Sequence, residues 1–220
     1  MIQSLSIFIS EMTINLSTIS KYYSDKLKTY GDSPKGVDWK NKESQILRFR
    51  MFDSLFVNDK AFSIMDYGCG KGDYSVYLGK EFKTKKINYY GVDISESMID
   101  FCKKKIGEDN GHHFYKSEQD FKIKIDYIIA SGTFTVKHGF TQKEWYKYVI
   151  KEIDKLYKKS KKGIGFNVMT SYVDFKESHL FYMDPSEMLR FLIKKYRYVD
   201  IIHSYPLYEY TILIRKNGMD

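Results

Sequence analysis

Apolar positions along this chain follow two different periods. Short runs of mostly apolar or aromatic residues stand at "AFSIMDY", "KINYYGVDI", "HHFYK", "KIDYIIAS" and "KGIGFNVM". Between them, apolar residues recur every three or four positions. The short runs read as strands and the longer stretches as helices. Their alternation predicts an α/β fold with a mostly parallel sheet.

Several helices carry start signals. Thr141 followed by Glu144 is a capping box ahead of the stripe Trp145, Val149, Ile153 and Leu156. In "DPSEMLRFL", Asp184 is an N-cap, Pro185 suits the first helical position and Glu187 sits in the first turn. Ser95 can cap a helix carrying Met98, Cys102 and Ile106 on one face. Leu47, Met51 and Leu55, spaced by four, predict a helix through "SQILRFRMFDSLF". The closing "YVDIIHSYPLYEYTILIRK" reads as two β-rich segments around a Tyr-Pro turn, a hairpin rather than another crossover unit.

Composition narrows the picture. The 220 residues are 43% apolar, enough for one sizeable core and one domain. No stretch is long and apolar enough for a bilayer-spanning helix. The opening "MIQSLSIFISEMTINLSTIS" lacks a basic start and is broken by Glu11, so it reads as a mobile leader or packing arm and not as a secretion signal. Cys69 and Cys102 make no metal spacing, which suits a reduced, cytoplasmic setting and no metal. The net charge of +8 raises nucleic acid as a partner. Yet only Arg48, Arg50, Arg190, Arg197 and Arg215 are arginines among 36 basic residues, and the lysines are spread through the chain as solvated helix ends are.

The chemistry concentrates in "IMDYGCGKGDYSVYL", where Gly68, Gly70 and Gly72 follow a strand and precede a helix. Such a turn marks a ligand site at the carboxyl end of a sheet, because glycine lets the backbone approach a ligand closely. A dinucleotide fingerprint would place a third glycine at position 73. Asp73 stands there instead. Beside a helix N-terminus it opposes a pyrophosphate and favours a ligand without phosphate and with some positive charge, or it simply caps the helix. Asp93 ends the second strand about 20 residues further on, where a βαβ unit brings it beside the first. It can accept both hydroxyls of a ribose, or cap the next helix together with Ser95.

Together, "MDYGCGKGDYSVYL", "YYGVDISESMI" and "KIDYIIASGTF" resemble the signature series of class I S-adenosylmethionine-dependent methyltransferases, from about Trp39 onward. The end of the chain looks like small bacterial members of that family whose substrates are poorly defined. The resemblance implies a Rossmann-like three-layer sandwich, with a mostly parallel seven-stranded sheet and a C-terminal antiparallel hairpin strand. It implies one methyltransferase domain over 1–220, with a helical segment at 1–58 covering the cofactor site and the core at 59–220. The implied cofactor is S-adenosyl-L-methionine. Asp66, Gly68, Cys69, Gly70 and Gly72 would line its amino-acid half, Asp93 would hold the ribose, and Ile94 would pack on the adenine. Glu118 would stand near the adenine amino group, where the family more often has aspartate. Ser131, Gly132 and Thr133 would border the methyl group, with Phe134 walling the pocket. Arg48 would pair with the methionine carboxylate or lie on the surface. Trp39 would cover the site or pack in the core.

On the acceptor side the candidates are His138, Tyr172, Asp174 and His179. The Asn/Asp-Pro-Pro-Tyr/Phe motif of enzymes that methylate base amines is missing, and "ASGTF" stands in its place. A small-molecule acceptor, methylated on oxygen or nitrogen, is therefore the expectation. An RNA methyltransferase, a nicotinamide-dependent oxidoreductase and a non-catalytic cofactor-binding module are the alternatives.

Overall fold

The computed structural model describes residues 14–39, 41–109, 111–117 and 123–218. In chain order the elements are α1 (Ser17–Tyr30), a 3₁₀ turn (Pro34–Val37), α2 (Lys42–Arg50), a second 3₁₀ turn (Asp53–Leu55), β1 (Ala61–Tyr67), α3 (Asp73–Glu81), β2 (Lys86–Val92) and α4 (Glu96–Lys105). Then come β3 (His112–Tyr115), β4 (Ile125–Ala130), α5 (Gln142–Lys159), β5 (Ser160–Thr170), β6 (Tyr182–Met183), α6 (Pro185–Ile193), β7 (Tyr198–Ile202) and β8 (Glu209–Arg215).

Seven strands form the sheet in the order β3-β2-β1-β4-β5-β8-β7, and the two-residue β6 pairs with β5. The pairs β1–β2, β1–β4, β2–β3 and β4–β5 are parallel. β8 is inserted antiparallel between β5 and β7. The fold is thus the expected α/β sandwich, with the closing hairpin as its antiparallel part.

Strand residues alternate between the two faces because the side-chain period is two. Ile64 goes to one core and Met65 to the other. One core gathers Trp145, Val149 and Ile153 of α5 with Met188 and Leu192 of α6. The opposite core gathers Phe49 of α2, Tyr74, Tyr77 and Leu78 of α3 and Ile99 of α4.

Most helix signals act as read. Thr141 and Glu144 form the reciprocal capping box of α5. Asp184 accepts the amides of Ser186 and Glu187, and Ser95 Oγ accepts that of Met98. The helix before β1 departs from expectation. It ends at Arg50, and its buried face is Gln45 and Phe49, with Leu47 and Met51 half-buried. Phe49 supplies an aromatic ring to the core, and Gln45 Nε2 finds an acceptor in Asp73 at 3.1 Å, so the wider apolar surface and a satisfied amide set the rotation. α1 is the element the pattern missed, since Ile19 is its one fully buried residue.

Candidate active site

The site begins where β1 ends. Gly68, Gly70 and Gly72 all have positive φ, at 80°, 51° and 74°. The Val92 carbonyl of neighbouring β2 accepts the amides of Gly68 and Cys69 at 2.7 and 2.9 Å. The Gly70 amide turns toward Asp93 Oδ2 at 2.9 Å. Asp93 Oδ1 accepts the Ser95 amide at 2.8 Å. Each carboxylate oxygen keeps a further lone pair for a ligand hydroxyl.

The turn opens onto a cleft at the carboxyl end of the parallel strands. Of the residues singled out from sequence, Asp66, Gly68, Cys69, Gly70, Asp93, Ile94, Ser131 and Gly132 line it together. Glu118 lies outside the described residues. Gly72 faces away: a Cβ there would lie 2.5 Å from Ile106 Cδ1 and 3.2 Å from Cys102 Sγ, so it is a packing glycine between the start of α3 and α4. Arg48 is also outside the lining, with Nε 2.6 Å from Glu209 Oε1. Phe134 is fully buried in the core and walls nothing.

The electrostatics suit a cation. Asp66 is 2% exposed, and burial pushes its carboxyl up to about 7. The Tyr89 hydroxyl, donating at 2.7 Å, pulls the other way, and the charges of Asp93 and Asp73 add to the rise. Asp93 is raised as well, by burial first, against the Ser95 and Gly70 amides that favour its charge. Asp73 accepts from Gln45 and pairs with Lys71 at 3.4 Å and Lys105 at 3.8 Å. Its charge is therefore partly matched, and the argument against a phosphate moves to Asp66 and Asp93.

Residues that the sequence reading did not name one by one complete the lining. Leu16 and, from α1, Ile19 and Tyr23 form one wall. α1 is held there by Ser20 Oγ, which donates to the Ile94 carbonyl at 3.1 Å, and by a 2.9 Å hydrogen bond between the Ser24 and Ser95 hydroxyls. Trp145 and Tyr148 of α5 line it as well, as do Gln45, Lys71 and Tyr74. Lys71, inside the glycine turn itself, was the signal available in the sequence. The hydroxyls of Tyr74 and Ser131 are buried with no partner among the described residues. The cover sits close: Val37 Cγ1 lies 2.9 Å from where a Cβ on Gly70 would stand.

Cys69 and Cys102, both buried and reduced, lie beneath this turn, with Cys102 Sγ 3.2 Å from the Gly70 carbonyl. The Cys69 thiol is pushed up by its hydrogen bond with Cys102 first and by burial second.

The acceptor-side candidates separate. His138 takes a left-handed backbone at φ 47°. Its ring sits 4.7 Å from that of Tyr22 and 6.1 Å from that of Tyr23, which lines the cleft. Its Nε2 is buried without a partner among the described residues. Burial lowers its pKa, Asp38 opposes this and His179 adds to it. His179 is exposed. Tyr172 is 65% exposed, and Asp174 accepts the Tyr208 hydroxyl at 2.5 Å. None of these four residues is in the lining.

Comparison with known proteins agrees with this geometry. The family described as a methyltransferase domain matches residues 65–154. A Mycobacterium tuberculosis protein described as a methyltransferase, Rv1506c, is 35% identical over 160 residues, covering 70% of this chain and 93% of that protein. A malonyl-[acyl-carrier protein] O-methyltransferase of Priestia megaterium is 28% identical over 180 residues, covering 80% of this chain and 60% of that protein. The fold matches magnesium protoporphyrin IX methyltransferase of Synechocystis PCC 6803, solved with bound S-adenosylmethionine, with TM-score 0.59, 16% identity and coverage of 94% and 100% of the two chains. It also matches the plantazolicin methyltransferase BpumL, solved with S-adenosylhomocysteine, with TM-score 0.57, 16% identity and coverage of 92% and 98%.

Proposed function

This chain belongs to the S-adenosylmethionine-dependent methyltransferases, and we propose that it moves the cofactor's methyl group to an oxygen or nitrogen of a small-molecule acceptor. The observation that carries the cofactor assignment is Asp93. It stands at the tip of β2, anchored through two backbone amides and facing the cleft beside the bare turn. Those acceptor oxygens suit a ribose diol, and the buried Asp66 beside them suits an ammonium or sulfonium. Nicotinamide chemistry would need a home for a pyrophosphate beside these two carboxylates.

In this reading Asp93 accepts the ribose hydroxyls, and Ile94 and Met98 pack on the adenine. Asp66 accepts from the methionine ammonium, while Gln45 and Lys71 supply donors at that end in place of Arg48. Ser131, Gly132 and Thr133 border the departing methyl. Within the 1–58 segment, the described residues 14–39 and 41–58 would form the cover, with 59–220 the core of one domain. When bound, S-adenosylmethionine would supply an electrophilic methyl carbon for in-line attack by an acceptor lone pair, with the neutral thioether sulfur as the leaving group. The protein's work is then orientation and exclusion of water. His138 Nε2, whose pKa burial lowers, would accept the proton of a hydroxyl substrate; the exposure of Tyr172 and His179 argues for neither.

Support for a small acceptor is the lining of the cleft by the aromatic residues Tyr23, Trp39, Phe49, Trp145 and Tyr148. The likeness to an O-methyltransferase favours oxygen. Among the described residues no helix is long and apolar enough to cross a membrane. Calorimetry with S-adenosylmethionine and S-adenosylhomocysteine is the first test, and absence of binding at high micromolar concentration overturns the cofactor assignment. A transfer screen with labelled cofactor against a metabolite extract then identifies the acceptor. A label that appears only in RNA overturns the small-molecule reading.

A further inference from the structure

A closed circuit of side chains joins the tip of β4 to the helix before β1. The Gly132 amide donates to Asn167 Oδ1 at 2.7 Å, and Asn167 Nδ2 donates to Glu209 Oε1 at 3.0 Å. Arg48 Nε lies 2.6 Å from Glu209 Oε1 and 2.7 Å from Oε2. The Arg48 guanidinium carbon lies 4.2 Å from the centre of the Trp39 ring. That indole returns to the starting point: a Cβ on Gly132 would come within 2.6 Å of Trp39 Cη2.

The circuit runs through the interior. Asn167 is fully buried, Glu209 is 2% exposed, and the Arg48 side chain is 13% exposed. A buried ion pair contributes little net stability, because desolvation offsets much of the attraction, whereas either charge left alone is costly. What this pair gives instead is geometry. Glu209 is held by Asn167 and by the Tyr205 hydroxyl at 3.3 Å. It can therefore fix the guanidinium plane on which the indole lies. Arginine suits this because its flat cation stacks on an aromatic face while its edge binds a carboxylate. Both Trp39 and Gly132 line the cleft.

We propose that Arg48 and Glu209 are positioning residues. Their buried pair clasps the cover to the sheet and sets Trp39 against Gly132, fixing the cleft wall at the end where the acceptor meets the methyl group. The link from that wall to cofactor and acceptor rests on the function proposed above; the placement of Trp39 does not.

The test compares wild type, Arg48→Ala/Glu209→Gln, which leaves no charge buried alone, and Arg48→Lys, which keeps the ion pair and loses the flat stack. Trp39 emission is taken as the difference from the Trp39→Phe form of each protein. The folded double variant should show Trp39 emission at longer wavelength and greater access to a neutral quencher. Its affinity for S-adenosylhomocysteine should fall about tenfold, the size of one such contact. Unchanged Trp39 emission and affinity in that variant overturn the proposal. If the double variant does not fold, Arg48→Lys decides. Shifted Trp39 emission at wild-type melting temperature supports the clasp, and unshifted emission overturns it at any melting temperature, leaving a structural ion pair. Failure of wild type to bind the nucleoside would sink the cofactor assignment and leave the emission result standing.

Discussion

Asp93 grips Gly70. The carboxylate at the tip of β2 accepts that amide at 2.9 Å with one oxygen and the Ser95 amide at 2.8 Å with the other. One side chain thereby shapes the glycine turn and presents acceptors to the cleft. Replacing it separates the two jobs only in degree.

Asp93→Ala should fold, melt a few degrees lower and bind S-adenosylhomocysteine about a hundredfold more weakly, the scale of two hydrogen bonds to a charged group. Titration calorimetry on the folded fraction measures this. Normal affinity per folded molecule would show that the ribose is held elsewhere.

Asp66 carries a pH signature. Its carboxyl sits near 7 in the fold, against 3.8 unfolded. Between those values the folded state binds the extra proton, so this group's contribution is complete below about pH 4 and is lost as pH rises through 7. Asp66→Asn should remove that slope and raise the ligand-free melting temperature at pH 8. The same change should weaken binding of the cationic cofactor. Wild-type affinity for S-adenosylmethionine should tighten from pH 6 to 8 as the carboxylate ionises. Melting curves of both proteins across pH, showing parallel slopes, would refute the buried-carboxyl account.

Gly70 and Gly72 should behave differently. Gly70→Ala meets Val37 at 2.9 Å on a left-handed backbone, so it should lower both stability and nucleoside affinity. Val37→Ala should recover part of the affinity in the double variant. Gly72→Ala also has a left-handed φ, but its new methyl meets the flexible end of Ile106. It should cost about 1–2 kcal/mol of stability and leave affinity near wild type. Equal losses of affinity at the two positions would contradict the placement of Gly72.

His138→Gln should leave S-adenosylhomocysteine binding intact and lower kcat for a hydroxyl acceptor by about 10²–10⁴. In wild type, kcat should fall with decreasing pH through a value below the ordinary 6.5, since burial lowers this imidazole. A pH profile for wild type that is flat from 5 to 8 would remove His138 from the chemistry.

Much of this was legible in the sequence because local signals and packing agree. The run "AFSIMDY" is β1 to the residue, and Thr141 with Glu144 caps α5 as their spacing demands. The glycine turn and Asp93 were legible because their spacing is fixed by one βαβ unit. What escaped depends on long-range contacts. Arg48 meets Glu209 across 161 positions, and no local pattern encodes that meeting. α1 hides because its apolar stripe is short, Leu16, Ile19 and Tyr23, and its serine hydroxyls meet partners at Ile94 and Ser95, more than 70 positions away. Gly72 shares its motif with Gly70, and only the placement of α4 separates packing from lining.

The two sulfur atoms under the turn have a practical use. Cys102 is fully buried, Cys69 is 8% exposed, and its thiol is held protonated, so maleimide dyes should react slowly with the native protein. A single thiol introduced at an exposed position, as in Tyr172→Cys, would then take a fluorophore alone. Distance measurements across the cover need no cysteine-free background, and any labelling of the native pair becomes a clock for opening of the glycine turn.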